Sequence, residues 1–187
     1  RELNDISVII YTSGTTQKPK GVMLSFNNIK ASIASIIETG ALNNPSLAIV
    51  ALLPLHHIYP LVTNLIYSLY RGYTIIFIEK ISSQEILNAL NKYRVTNLLV
   101  VPRLLSILNN NIMKEIQRKR VISYIFKIMR YINLPFLRRL IFKKVHNTFG
   151  GHIETIVSGG SKADPEVMSN LNTLGFKVLE GYGLTET

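Results

Sequence analysis

Short apolar runs alternate with stretches of helical length along most of this chain, and that alternation limits the available folds more than any other feature. The runs are Asp5–Tyr11, which reads as a buried strand, Val22–Leu24, Leu47–Leu53, Tyr73–Ile78, Asn97–Val101, Thr155–Ser158 and Phe176–Leu179. Between them, helices are expected over Phe26–Glu38, Ile58–Tyr70, Ser83–Tyr93, a stretch beginning at Pro102, and Asp164–Leu171. Ser25 is placed to cap the first helix and Gly40 to end it, Gly72 closes the second, and Asp164 followed by Pro165 opens the last. A βαβ rhythm of this kind predicts an α/β fold: a largely parallel sheet flanked by helices.

Composition narrows the functional classes. With 187 residues, 47% of them hydrophobic and 17% charged, the chain can bury a real core and reads as one domain. It has no cysteine, so a disulfide framework, a thiolate zinc site and a cysteine nucleophile are all excluded. The histidines show no i, i+4 pairing, which disfavours zinc further. Arg1-Glu2-Leu3-Asn4-Asp5 lacks the layout of a signal peptide, and no apolar stretch reaches the ~18 residues of a membrane span. A soluble, cytoplasmic chain is expected.

The net charge of +10 is concentrated: the segment 114–144 holds ten lysines and arginines against Glu115 alone, and carries +9. Two helices broken near Asn133-Leu134-Pro135 are expected there, with Val121, Ile125, Ile128 and Ile132 on one face and Lys119, Lys127 and Arg130 towards the other. The apolar members are aliphatic at helical spacing, not stacking platforms, so nucleic acid is not expected. Peripheral contact with an anionic membrane, at its inner face and with Arg138 and Arg139 among the contacting charges, stands beside a merely solvated basic face.

Three polar, glycine-rich loops follow predicted strands: Thr12–Gly21, Ser158–Ala163 and Gly181–Thr187. Loops at the carboxyl ends of parallel strands are where α/β proteins bind ligands, and all three are expected to take that position. In "YTSGTTQKPKG" (Tyr11–Gly21), hydroxyls, backbone amides and two lysines suit an anion. The G-x-x-x-x-G-K-[ST] phosphate-loop pattern is absent.

At these residues the chain resembles a known family. "YTSGTTQKPKGVMLS" resembles the phosphate loop of the adenylate-forming enzymes, the superfamily of acyl-CoA synthetases, luciferases and peptide-synthetase adenylation domains. "LPLHHIYP" (Leu53–Pro60), "SGGSKADPEV" (Ser158–Val167) and "EGYGLTET" (Glu180–Thr187) resemble its later motifs, in the same order. With "VPRLL" (Val101–Leu105) and the basic helices, the chain looks most like the long-chain fatty-acid–CoA ligases. Gln17 stands where the family usually has glycine, and Ser161 where it often has alanine.

The resemblance implies that ATP activates a fatty acid to an acyl-adenylate, from which coenzyme A displaces AMP, with Mg²⁺ assisting. It implies that Thr12, Ser13, Gly14, Thr15, Thr16 and Lys20 bind the β- and γ-phosphates. Gly159, Gly160, Ser161 and Gly181 would border the adenine, with Tyr182 stacked on it. Thr185 would bond the α-phosphate and Glu186 would hold the metal. His57, with Tyr59 nearby, would orient the acyl carboxylate, while His56, His146 and His152 are read as structural. The family's complete enzymes also carry an upstream region, a ribose-binding aspartate, a hinge and a C-terminal domain with a catalytic lysine. Residues 1–187 are therefore expected to be a single AMP-binding subdomain, truncated at both ends, of a large N-terminal domain. Open alternatives are another carboxylic acid (an acyl-carrier-protein synthetase or an aryl-CoA ligase) or a non-catalytic nucleotide-binding or membrane-associated module.

Overall fold

A five-stranded, wholly parallel sheet in the order β4-β3-β5-β6-β7 organises the computed structural model, which describes residues 2–12, 18–42 and 48–186. Its strands are β3 (Ala48–Ala51), β4 (Thr74–Phe77), β5 (Asn97–Val100), β6 (Thr155–Ser158) and β7 (Lys177–Glu180). All four residues of the central strand β5 are buried, as a strand covered on both faces must be.

Alternation along the strands sorts the core into two layers. Val50, Leu98, Val100, Ile156 and Val178 point to one face, into the large cluster with Leu90 and Ile86 of α4 (Ser83–Lys92), Leu105 and Ile112 of α5 (Pro102–Gln117) and Val167 and Leu171 of α9 (Pro165–Thr173). Ile49 and Leu99 point to the other, beneath Tyr67, Tyr73, Leu42 and the aliphatic side chains Ile33, Ile36 and Ile37 of α1 (Phe26–Glu38). Ser25 caps α1 as expected: its hydroxyl accepts the Asn28 N–H at 3.3 Å, while the Asn28 side chain takes the Ser25 N–H at 2.8 Å.

The strands β1 (Ile6–Thr12) and β2 (Lys20–Ser25) stand apart as an antiparallel pair with Thr12 facing Lys20. This corrects two expectations. The Thr12–Gly21 loop is a hairpin connection and not a crossover at a parallel strand end, because so few residues cannot return the chain for parallel pairing. Nor is β1 buried throughout: Ile10 is covered, but Ile6, Ile9 and Tyr11 are exposed. The hairpin's inner residues Val8, Val22 and Leu24 pack on Ile29 of α1 and on Ile58, Val62 and Ile66.

Those last three belong to the predicted helix 58–70, which is not uniformly α. It runs as α2 (Ile58–Pro60), a π-helical stretch Leu61–Ile66 and α3 (Tyr67–Arg71), closed by Gly72 at φ 68°. Side-chain hydroxyls take carbonyls here. Thr63 donates to the Tyr59 carbonyl at 2.6 Å and Ser68 to that of Thr63 at 3.2 Å, which favours the wider turn.

The basic segment is spread over the end of α5, α6 (Arg120–Met129), α7 (Pro135–Ile141) and the start of α8 (Lys143–Thr148). In α6 the covered residues are Phe126 and Met129, flanked by the half-buried Ile122 and Ile125, whereas Val121 and Ile128 are exposed. The single apolar face expected through Val121, Ile125, Ile128 and Ile132 is therefore two stripes. Arg138 and Arg139 are also not free surface charges. Arg138, 8% exposed, donates to the carbonyls of Met129 (3.0 Å) and Asn172 (3.2 Å), and Arg139 to those of Gly151 (2.8 Å) and Ile153 (2.9 Å). They tie α7 to the elements around it.

Candidate functional site

Parallel strands point their carboxyl ends the same way, so β3, β5, β6 and β7 deliver Leu53–His57, Val101, Gly159–Ala163 and Gly181–Glu186 to one end of the sheet. Neighbouring strands hold these loops in register: the Gly159 N–H donates to the Val100 carbonyl at 3.0 Å, and the Gly181 N–H to that of Ser158 at 2.7 Å.

The loop after β6 is braced from two sides. From below, the Tyr59 hydroxyl donates to the Val157 carbonyl at 3.2 Å, and its ring lies so close to Gly159 that an added Cβ would stand 2.7 Å from it. Burial holds the Tyr59 phenol far above its ordinary range, so it is a fixed neutral donor and not a proton carrier. From the side, the Glu180 carboxylate accepts the Ala163 N–H at 2.6 Å. Gly160 sits at φ 86°, a conformation side chains disfavour. Ser161 is exposed beside it.

The loop after β7 is open. Tyr182 is 93% exposed, nothing lies within 4 Å of a Cβ placed on Gly183, Thr185 is half-buried and Glu186 is exposed in a turn. On the β3 side, His57 is the N-cap of α2, its carbonyl accepting the Leu61 N–H at 3.1 Å while its own N–H donates to the Pro54 carbonyl at 3.3 Å. Its exposed ring lies 4.3 Å from that of His56.

Of the predicted phosphate-binding residues, Thr12 and Lys20 face each other across the hairpin, the Thr12 hydroxyl donating to the Lys20 carbonyl at 3.5 Å. Ser13, Gly14, Thr15, Thr16 and Gln17 lie outside the described residues, as do Leu47 and Thr187. The hairpin shares a hydrophobic cluster with Ile58, next in the chain to His57.

Sequence reasoning gave Glu180 no role, although it opens the quoted "EGYGLTET" motif. A carboxylate on the last residue of a strand, one position before a glycine loop, was the available signal. Its partner is an amide 17 positions away, which local pattern does not specify.

The sequence pattern of AMP-binding enzymes matches residues 1–187. The chain belongs to the AMP-binding enzyme family. Among curated members it is 35% identical to long chain acyl-CoA synthetase 7, peroxisomal, of Arabidopsis thaliana, over 98% of this chain and 27% of that protein. It is 30% identical to long-chain-fatty-acid–CoA ligase 1 of Saccharomyces cerevisiae, over 98% of this chain and 29% of that one. The chain thus spans less than a third of these relatives. Among solved family members, ATP-bound MatB from Rhodopseudomonas palustris superposes with a TM-score of 0.71 at 25% identity, over all of this chain and 31% of that one. O-succinylbenzoate coenzyme A synthetase from Bacillus subtilis, in complex with AMP, gives 0.69 at 26% identity, over all of this chain and 31% of that one. The fold is that of the N-terminal domain of adenylate-forming enzymes.

The donor set also bears on a metal. Among the described residues no three of His, Asp and Glu converge on one point. Glu186 offers one exposed carboxylate, the kind of hard oxygen donor that Mg²⁺ accepts.

Proposed function

We propose that this chain carries the nucleotide half of a long-chain fatty-acid–CoA ligase, which activates its acid as an acyl-adenylate before thioester formation with coenzyme A. The observation that supports this most is the meeting of the LHH, SGG and GYGLTE loops at the carboxyl end of one sheet, with the middle loop cross-braced by Tyr59 and Glu180. The narrower choice of acid rests on the acyl-CoA synthetases among the relatives.

Adenylate formation brings a carboxylate anion to a polyphosphate, so the protein must supply orientation and charge stabilisation and not a nucleophile. Gly159, Gly160 and Ser161, presented on the braced loop, border the adenine. Gly181 lets the chain turn beside it, and the exposed Tyr182 ring closes over it. Thr185 donates its hydroxyl to the α-phosphate, where charge builds as the acyl oxygen adds and pyrophosphate leaves. Glu186 would hold Mg²⁺, which would supply neutralisation of phosphate charge. Thr12 and Lys20 of the hairpin, together with Ser13, Gly14, Thr15 and Thr16, bind the β- and γ-phosphates. His57, beside Tyr59 at the mouth, orients the incoming carboxylate. The exposed cations of the basic segment 114–144, Lys119, Arg120 and Lys127 among them, are proposed to face an anionic membrane.

ATP–pyrophosphate exchange by the full-length protein over a panel of acids tests this. Exchange supported by long-chain fatty acids, dependent on Mg²⁺ and well above that with o-succinylbenzoate or malonate, is expected. Exchange driven best by an aryl or short acid would keep the reaction class and overturn the substrate.

A further inference from the structure

Two asparagines stand where the helix pattern calls for apolar side chains. The buried stripe of α5 runs Leu105, Asn109, Ile112 and Ile116, and that of α9 runs Val167, Asn170, Leu171 and Thr173. Asn109 is 5% exposed and Asn170 6%, and the two helices pack against each other. Polar groups taken out of water are normally hydrogen-bonded, and these are not. The Asn109 Oδ1 has no partner among the described residues, and its Nδ2 has only a long contact of 3.4 Å with the Asn110 Oδ1. The Asn170 side-chain amide bonds to no described residue. Asparagine is also a poor helix former, yet Asn109, Asn110 and Asn111 follow one another in the middle of α5. Propensity, pattern and pairing all conflict with the fold at one place, which is how functional positions differ from structural ones.

Both asparagines line one cleft between α5, α6 and α9. Its volume of about 390 Å³ falls within the range of about 300–1,000 Å³ that holds small-molecule ligands. Phe126 and Val167 give it an apolar lining, with Met113 half-buried in its wall. Arg130 stands on the α6 side and Glu166 on the α9 side, both exposed. These opposite charges share the cleft, and neither belongs to an ion pair among the described residues. The Glu166 N–H donates to the Asp164 carboxylate at 2.8 Å, while its own carboxylate stays uncommitted.

We infer that this cleft is a second binding site, for a short zwitterionic peptide. The Arg130 guanidinium matches a carboxylate in fork geometry, and the Glu166 carboxylate takes an ammonium group. Between these ends, each asparagine carboxamide offers a donor and an acceptor, the complement of a peptide group. The apolar lining receives a side chain. A phosphate ester or a free fatty acid serves Arg130 alone and brings no cation to Glu166. None of these cleft residues belongs to the proposed nucleotide or acyl site, so the inference stands whichever acid is activated.

Calorimetric titration of the full-length protein with glycyl-leucyl-glycine, compared with its N-acetylated and C-amidated form, tests this. Saturable binding of the free tripeptide is expected, weakened about tenfold or more by blocking both ends, since hydrogen bonds between charged groups are lost. Arg130→Gln and Glu166→Gln should each weaken the free tripeptide about tenfold and leave the blocked form unaffected. Asn109→Leu with Asn170→Leu should abolish binding while the melting temperature holds or rises, because apolar side chains of similar size suit the stripe better than unpaired amides. Met113 should be oxidised by hydroxyl radicals in the free protein and protected by the tripeptide. No saturable binding, or equal affinity for the two forms, overturns the assignment. So does a Met113 already protected without peptide, which would show that another part of the chain fills the cleft. A lower melting temperature for the asparagine variant would give both amides to the fold and overturn it too.

Discussion

The loops after β6 and β7 look alike in sequence, each glycine-rich and polar behind a four-residue strand, yet the molecule treats them in opposite ways. The first is fixed: the Tyr59 ring fills the space a Gly159 side chain would need, and Glu180 takes the Ala163 amide. The second projects Tyr182 and Glu186 outward with few neighbours. One glycine is there because something else occupies its Cβ position, while the other leaves a loop free to close. In the account above, the rigid loop gives the base a surface and the open loop brings charge and a stacking ring to the reacting phosphate.

Substitutions can break that division. The largest effect on activity is expected in the open loop, where Glu186→Gln in the full-length protein should lower pyrophosphate exchange on the order of a hundredfold while leaving thermal stability unchanged. Wild-type exchange would remove Glu186 from the metal. In the fixed loop both quantities should move together. Gly159→Ala forces the new methyl against the Tyr59 ring and should cost about 1–3 kcal/mol of stability in denaturant titration, with a raised KM for ATP. Tyr59→Phe removes the side-chain donor to the Val157 carbonyl, for about 1 kcal/mol. Gly183→Ala, with nothing within 4 Å, should change stability by less than about 0.5 kcal/mol. A Gly183→Ala variant as damaged as Gly159→Ala would erase the distinction between the loops.

Away from the site, burial depresses the His146 pKa, although its Nε2–H bond to the Leu174 carbonyl (2.9 Å) opposes this. The folded state therefore favours neutral imidazole. Its contribution is complete above the unfolded value near 6.5 and should be lost as pH falls from there to the lower folded value, with a slope of at most about 1.4 kcal/mol per pH unit. His146→Gln should flatten that part of the stability profile.

Local chemistry made much of this legible in the sequence. Ser25 and Asp164 marked helix starts because the amides they cap lie within three residues, and Pro102 and Pro165 did so because a first-turn residue needs no N–H partner. Strand β6 also falls where its apolar run predicts. What the sequence withheld depends on partners far along the chain. The exposure of Ile6, Ile9 and Tyr11 follows from β1 pairing only with β2, outside the main sheet. The roles of Arg138 and Arg139 depend on carbonyls of α6, α9 and the Gly151–Ile153 turn, which composition cannot distinguish from solvent. In the site, the glycines of "SGG" were readable as a loop, but the Tyr59 ring that demands Gly159 comes from a motif 100 residues earlier.

Hydrogen exchange of the full-length protein with and without AMP tests the division of labour most directly. The account predicts that the amides of Gly159 and Ala163 are protected before nucleotide is added and change little, while Tyr182–Glu186 exchange fast and become protected on binding. Early protection of Tyr182–Glu186, or an AMP response confined to other parts of the chain, would contradict it.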